Sequence, residues 1–355
     1  MKKKKFFLIV ALLVGILALV GILVFKIYID RISLEKSNKT ETKQVESFYN
    51  VEENGNVPNE SKQEKINIFN GNDRPIAVMI DNHSGAWPQA GLNKAYLVYE
   101  IVVEGGETRL MALFKGINAD KIGPVRSSRH YFLDYAMENG AIYVHYGWSP
   151  QAEADIGIYK VQNINGITQS SSDFWRVKDK SSPHNVFTST DKILKIAESK
   201  GYSIKSNDKG LFKYTTNEVN LENSINATEV TIPHSNLQTV KYVYDVENKV
   251  YTRFARGKKQ TDYETKDDLV TKNIIVEFVD NYTLVDPENK GRQGLSNIGT
   301  FDGYYITEGK AIKIKCIKSS RMAKTVYKDL NGVEFEINDG NTWVQICPKD
   351  AQVKF

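Results

Sequence analysis

Residues Phe6 to Phe25 read FFLIVALLVGILALVGILVF, about twenty apolar positions without a charge, and Lys2 to Lys5 stand just before them. At helical rise such a run matches the hydrocarbon thickness of a bilayer, so it constrains everything that follows. Lysines on its N-terminal flank keep that end in the cytoplasm and send the rest of the chain outside. A cleaved signal peptide is the rival reading, but Lys26, Ile27, Tyr28 and Ile29 stand where a small-x-small cleavage site belongs. No cysteine follows the run to carry a lipid. The expectation is a cytoplasmic tail over 1–5, one membrane helix over 6–28 and folded structure outside the cell membrane.

From about Arg31 to Asp73 the chain is Lys, Glu, Ser, Asn and Thr with few apolar residues. That composition buries too little surface to fold, so 29–72 reads as a solvated tether. Beyond it the length suits two folded units, here 73–206 and 207–355. The formal net charge is only +4, and four lysines of the N-terminal cluster account for it. No basic excess remains to argue for nucleic acid. Cys316 and Cys347 are the only cysteines, which excludes a Cys-based metal cluster and a disulfide-dense scaffold.

In the first unit, Pro75 to Ile80 (PIAVMI) and Leu97 to Val103 read as strands. Gly105-Gly106 is a two-residue hairpin signal, and Thr108 to Phe114 returns. That register sets Val102 opposite Arg109 and puts Glu100, Val102, Glu104 and Arg109 on one face. A helix ending at Gly105 competes with the hairpin. Pro124 predicts a helix over Val125–Glu138 with Pro in its first turn. Ala141 to Tyr146 is a strand, Gln151 to Ile156 a short helix, and Asp191 to Ser199 a helix capped by Ser189 or Thr190. Past Asn207 short strands dominate, with a strand-turn-strand pattern at Val240 to Ala255 and hairpin signals at Asn331-Gly332 and Asp339-Gly340. The fold class is α+β: an N-terminal mixed α/β part of layered sheets and helices (β-β-α sandwich-like), then a C-terminal mostly antiparallel β part, preceded by the transmembrane helix.

The segments RPIAVMIDNH (Arg74 to His83), YEIVVEGGETR (Tyr99 to Arg109), IGPVRSSR (Ile122 to Arg129), YVHYGWSPQA (Tyr143 to Ala152) and PHNVFTS (Pro183 to Ser189), with VYTRF, NIIVEF and the closing NDGNTWVQICP, occur in order. In these the chain resembles the YerB-like family of bacterial envelope proteins, a domain of unknown function. The resemblance implies an exported, membrane-attached protein with an N-terminal α/β and a C-terminal β part, and implies no activity. Many such relatives look like lipoproteins, whereas this chain has an apolar span and no lipid-bearing cysteine. Cys316 also stands where the pattern leads one to expect tryptophan.

Candidate chemistry centres on Tyr96 to Arg129, where charges are set among apolar residues and need partners. Arg126 and Arg129, three apart in a first helical turn, share a face where the dipole disfavours cations. Either Glu100 and Glu104 neutralise them in a structural network, or Arg109, Arg126, Ser127, Ser128 and Arg129 bind an anion. His145 alternates with Tyr143 on a strand and suits a packed, hydrogen-bonded histidine. His184 and Asn185 lie in a loop and are better placed for function. Asp81 with His83 completes no metal-ligand set, and no cofactor or metal is called for. No G-x-S-x-G elbow accompanies Ser127 or Ser128. Export makes a Cys316–Cys347 bridge chemically possible, but strand alternation turns the two Cβ directions apart. Two readings follow: a tethered envelope protein that recognises an anionic cell-wall polymer or a protein partner, or a hydrolase or transferase using Glu100 or Glu104 with His184.

Overall fold

IAVMID, LVYEIV and TRLMALF are continuous runs rather than alternating ones, the signature of strands covered on both faces. They form β1 (Ile76–Asp81), β2 (Leu97–Val102) and β3 (Thr108–Phe114), every residue buried. The computed structural model describes residues 71–208, 210–219 and 221–355. The expected span over 6–28 and almost all of the tether lie outside the described residues. Among the described residues no helix is long and apolar enough to cross a membrane.

β4 (Ile142–His145) and β5 (Asn163–Asn165) extend the sheet beyond β1, both parallel to it. The second half supplies β6 (Glu229–Pro233), β7 (Thr239–Asp245), β8 (Val250–Ala255), β9 (Asn273–Thr283), β10 (Gly299–Thr307), β11 (Lys310–Lys318), β12 (Val326–Lys328) and β13 (Thr342–Pro348). The main sheet has twelve strands, and its path is β12-β11-β10-β9-β13-β2-β3-β1-β4-β5. The two halves therefore share one sheet, joined where β13 runs parallel to β2 from Leu97↔Thr342 to Ile101↔Ile346. The described residues belong to a single compact unit.

One face of this sheet carries Met79, Tyr99, Ile101 and Met111 and packs against α1 (His130–Glu138) through Tyr131, Phe132 and Tyr135. The other carries Val78, Val98, Leu110 and Val144 beneath α3 (Thr190–Ser199). In the C-terminal half that face is covered by β6, β7 and β8, whose Val230, Val240 and Tyr242 meet Ile274 and Val276. A further helix, α2 (Pro150–Ile158), begins one residue before and ends two after the expected Gln151 to Ile156, with the Ser149 hydroxyl accepting from the Ala152 N–H. Ser189 caps α3 in the same way.

Three local readings change. The hairpin loop has three residues, Glu104, Gly105 and Gly106, closed by the Val103 N–H to the Glu107 carbonyl at 2.7 Å. Arg109 is thus paired with Ile101, and Glu100 with Leu110, so Glu100 and Arg109 point to opposite faces. The helix predicted from Val125 starts only at His130. Its first residues are extended, because the Val125, Arg126 and Ser128 N–H groups donate to Val186, Met79 and Gly147 carbonyls instead. These long-range backbone bonds take the donors a first helical turn would leave open. Asp339-Gly340 is no hairpin turn either: Ile337–Asn338 pairs with Tyr214–Thr215, whereas β13 enters the main sheet. Cys316 and Cys347 are free, buried and in different clusters.

Candidate functional site

β1, β4, β5, β2 and β13 all run in one direction, and only β3 opposes them between β2 and β1. Their carboxyl ends share one edge, the edge at which sheets of this kind hold ligands. Asp81 ends β1, His145 ends β4, Asn165 ends β5 and Glu104 follows β2. The extended segment 122–129 crosses this edge, bridged by Ile80↔Val125 and Ser128↔Trp148, and delivers Arg126 and Arg129 there.

Asp81 lies opposite Arg109 in the β1–β3 pair. Its Oδ1 accepts from the His83 N–H at 3.0 Å, and its Oδ2 faces His184 Nδ1 at 2.7 Å and Arg126 Nε at 3.1 Å. Glu104 Oε1 accepts from Arg129 Nε at 2.6 Å. Burial pushes the Glu104 carboxyl up, but the hydrogen bond and charge of Arg129, with Arg109 behind, hold it below the usual range. Arg109 donates Nη1 to the Ser127 carbonyl at 2.5 Å and forms no ion pair among the described residues. Burial first, and then the neighbouring Arg129 and Arg126 charges, lower its pKa to about 9. Three guanidiniums thus face two carboxylates, and one carboxylate is also shared with His184.

His184 is clamped. Its ring stacks on His83 at 4.5 Å with planes 12° apart, and its Nδ1–H points at Asp81. Neighbouring Lys180 ties the loop down through the Ala86 and Trp87 carbonyls. Asn185 is structural: it donates to the Val177 and Lys180 carbonyls and accepts from Arg176 Nη1 at 2.6 Å. Ser127 donates to the Tyr146 carbonyl, and buried Ser128 accepts from the Tyr143 hydroxyl. Both hydroxyls are committed within the fold. His145 is buried between the Gly147 carbonyl (2.8 Å) and Asn163 (3.1 Å), and burial lowers its pKa. No group of three or more metal-ligating side chains occurs among the described residues.

Glu100 is not part of this cluster. It accepts from Arg253 at 2.7 Å, Thr108 at 2.8 Å, Asn82 at 3.0 Å and Gln238 at 3.2 Å, fully buried between the two sheets. Burial raises its pKa, and the Arg253 charge, His234 and these bonds outweigh that, so it stays below the usual carboxylate range. Sequence reasoning missed Asp81 as the hub and Arg253 as the partner of Glu100, 153 positions away. Asp81 was visible as the only acid closing the PIAVMI run. Nothing local marked Arg253.

The family description "Protein of unknown function (DUF3048) N-terminal domain" matches residues 62–203, and its C-terminal counterpart matches residues 230–344. The chain is 32% identical over 283 residues to "Putative lipoprotein YerB" of Bacillus subtilis (strain 168), covering 78% of this chain and 81% of that protein. The crystal structure of the YerB protein from Bacillus subtilis superposes with a TM-score of 0.71 at 31% identity, covering 81% of this chain and 95% of that one.

Proposed function

The chain belongs to the DUF3048 family of YerB-like proteins, and from that premise we propose that it is a membrane-attached extracytoplasmic protein that binds an oxyanion-bearing envelope ligand at Arg109, Arg126 and Arg129. The apolar run Phe6 to Phe25 is the proposed anchor, in place of the lipid that the relative's name attributes to that protein. One observation carries the binding reading: Arg109 is buried beside two other guanidiniums without an ion pair of its own among the described residues. A cation so placed gains most from an anion that brings charge and matched acceptors into the cluster. The test is cosedimentation of the full-length protein, in neutral detergent, with purified cell-wall sacculi before and after acid extraction of their anionic polymers. Salt-sensitive binding that falls at least tenfold in Arg109→Met and Arg129→Met supports the reading. Unchanged binding by both variants overturns it.

An acid–base reading is favoured by a single contact, His184 Nδ1 on Asp81 Oδ2 at 2.7 Å, which orients the ring and leaves Nε2 outside that bond. Glu100 and Glu104 do not serve it, because both are ion-paired and held in the charged form. Screening ester and phosphodiester substrates against His184→Ala tests this reading. A hydrolytic activity that His184→Ala retains in full excludes it.

A further inference from the structure

Beyond Arg126 the same sheet edge opens into a cleft of about 580 Å³, lined by Arg126, Arg176, Trp148, Asn165, Ile167 and Thr168 among others. Its size lies within the range of small-ligand sites. No carboxylate lines it among the described residues, so its two guanidiniums make it a cationic hollow. The cleft is built rather than incidental. Gly147, at φ +81, turns the chain after β4 where a Cβ would press on Ile167 at 3.1 Å. Asn165 Oδ1 accepts from the Gly147 and Ile167 N–H groups, at 3.0 and 3.2 Å, which turns its amide nitrogen away from those bonds. The Arg176 guanidinium is held over the Tyr146 ring at 5.5 Å and tied to Asn185.

Trp148 is the feature that the anion cluster does not explain. Its ring rests on His145 at 5.4 Å, yet the residue is 36% exposed and lines the cleft beside Ile167, itself 57% exposed. An exposed indole fixed on a strand-end turn, flanked by guanidiniums and an amide, offers a flat apolar face ringed by hydrogen-bond donors. A pyranose presents the complement: a C–H face that packs on an aromatic ring, and an edge of oxygens. Arg176, which has no ion pair among the described residues, and Arg126, which shares Asp81 with His184, select an oxyanion on that edge.

We propose that this cleft is a saccharide subsite, in which a pyranose carrying an acidic substituent stacks on Trp148 while its oxyanion is held by Arg126 and Arg176. The proposal rests on the anion-binding reading only through Arg126, which lines the cleft and also meets Asp81. It extends that reading from a charge to a ligand class: an acidic glycan unit, carboxylated or phosphorylated.

The test is calorimetric titration of the full-length protein in neutral detergent with glucuronic acid, glucose 6-phosphate, glucose and inorganic phosphate. The expected result is that at least one sugar acid binds tenfold or more tightly than both glucose and phosphate. Trp148→Ala should lose that tenfold and leave phosphate binding unchanged, and Trp148→Phe, which keeps a ring, should restore most of it. Equal thermal unfolding of the three proteins shows that the fold is intact. The inference is overturned if neither sugar acid outbinds phosphate, or if Trp148→Ala binds them like the parent. The two readings separate cleanly. Phosphate binding lost in Arg109→Met without any sugar preference leaves the anion site standing and removes the saccharide subsite. Sugar-acid binding lost in Trp148→Ala and untouched by Arg109→Met does the reverse.

Discussion

Arg109→Met should make the protein more stable, not less. Burial beside Arg129 and Arg126 pushes the wild-type guanidinium down to about 9, well below the usual arginine range. That depression corresponds to about 5 kcal/mol of unfavourable interaction in the charged form. Methionine fills a similar straight-chain volume without the charge. The substitution also leaves the Ser127 carbonyl, which accepts from Arg109 Nη1, without its charged donor, a loss of about 1.5–3 kcal/mol. The net expectation is a gain of about 2 kcal/mol at pH 7, read by urea unfolding of residues 64–355 in buffer free of phosphate and sulfate. The pH dependence has a definite sign. Below pH 9 both folded and unfolded chains carry the proton and the penalty is complete. Above about pH 9 the unfolded chain stays protonated while the folded one loses the proton, so wild-type stability recovers and the advantage of methionine shrinks. Adding phosphate at a hundredfold its Kd should stabilise the wild type by about 2.7 kcal/mol and leave the variant unmoved. If Arg109→Met instead loses 2 kcal/mol or more, Arg109 is a satisfied structural residue and the case for an anion fails.

Three further outcomes follow from other buried charges and from the ends of the chain. Glu277 is buried, accepts from the Tyr327 hydroxyl at 2.6 Å, and is pushed up to about 7 by burial, with Glu138 adding to the shift. Its folded state keeps a proton that the unfolded chain releases near pH 4.5, so stability should fall as pH rises from about 4.5 to 7. Glu277→Gln should therefore gain on the parent by about 3 kcal/mol between pH 4 and pH 8, and a flat difference would refute the burial argument. Glu100→Gln or Arg253→Met alone should cost about 3–5 kcal/mol in chemical unfolding, and the double variant less than the worse single one; simple additivity would show that the pair is not coupled. The full-length protein should pellet with membranes and need detergent for release, whereas residues 64–355 stay soluble and unfold cooperatively; a mature protein beginning after Phe25 would contradict the anchor.

What could be read from the chain tracks how local the deciding interaction is. The cap at Ser189, the β7–β8 hairpin within Val240–Ala255 and the packed state of His145 rest on contacts within a few residues or on alternation, and the structure has them. The helix expected from Val125 failed because Val186 and Gly147 carbonyls, up to 61 positions away, took its N–H groups. The union of the two halves in one sheet rests on β2 meeting β13, some 245 positions apart, and no local pattern encodes such a pairing. The hairpin is the most instructive case. Gly105-Gly106 reads as a two-residue loop, yet the loop takes in Glu104 as well, and with a side-chain period of two that single extra residue reverses a face. Glu100 leaves the arginines and turns to Arg253, while Glu104, being in the loop, stays free of the sheet's alternation and reaches Arg129. The cluster thereby loses one of the two carboxylates expected to neutralise it. Asp81 replaces that charge only in part, because His184 and Arg126 share its Oδ2. The one-residue difference in register is therefore what leaves Arg109 without an ion pair of its own among the described residues, the feature on which the proposed anion site rests.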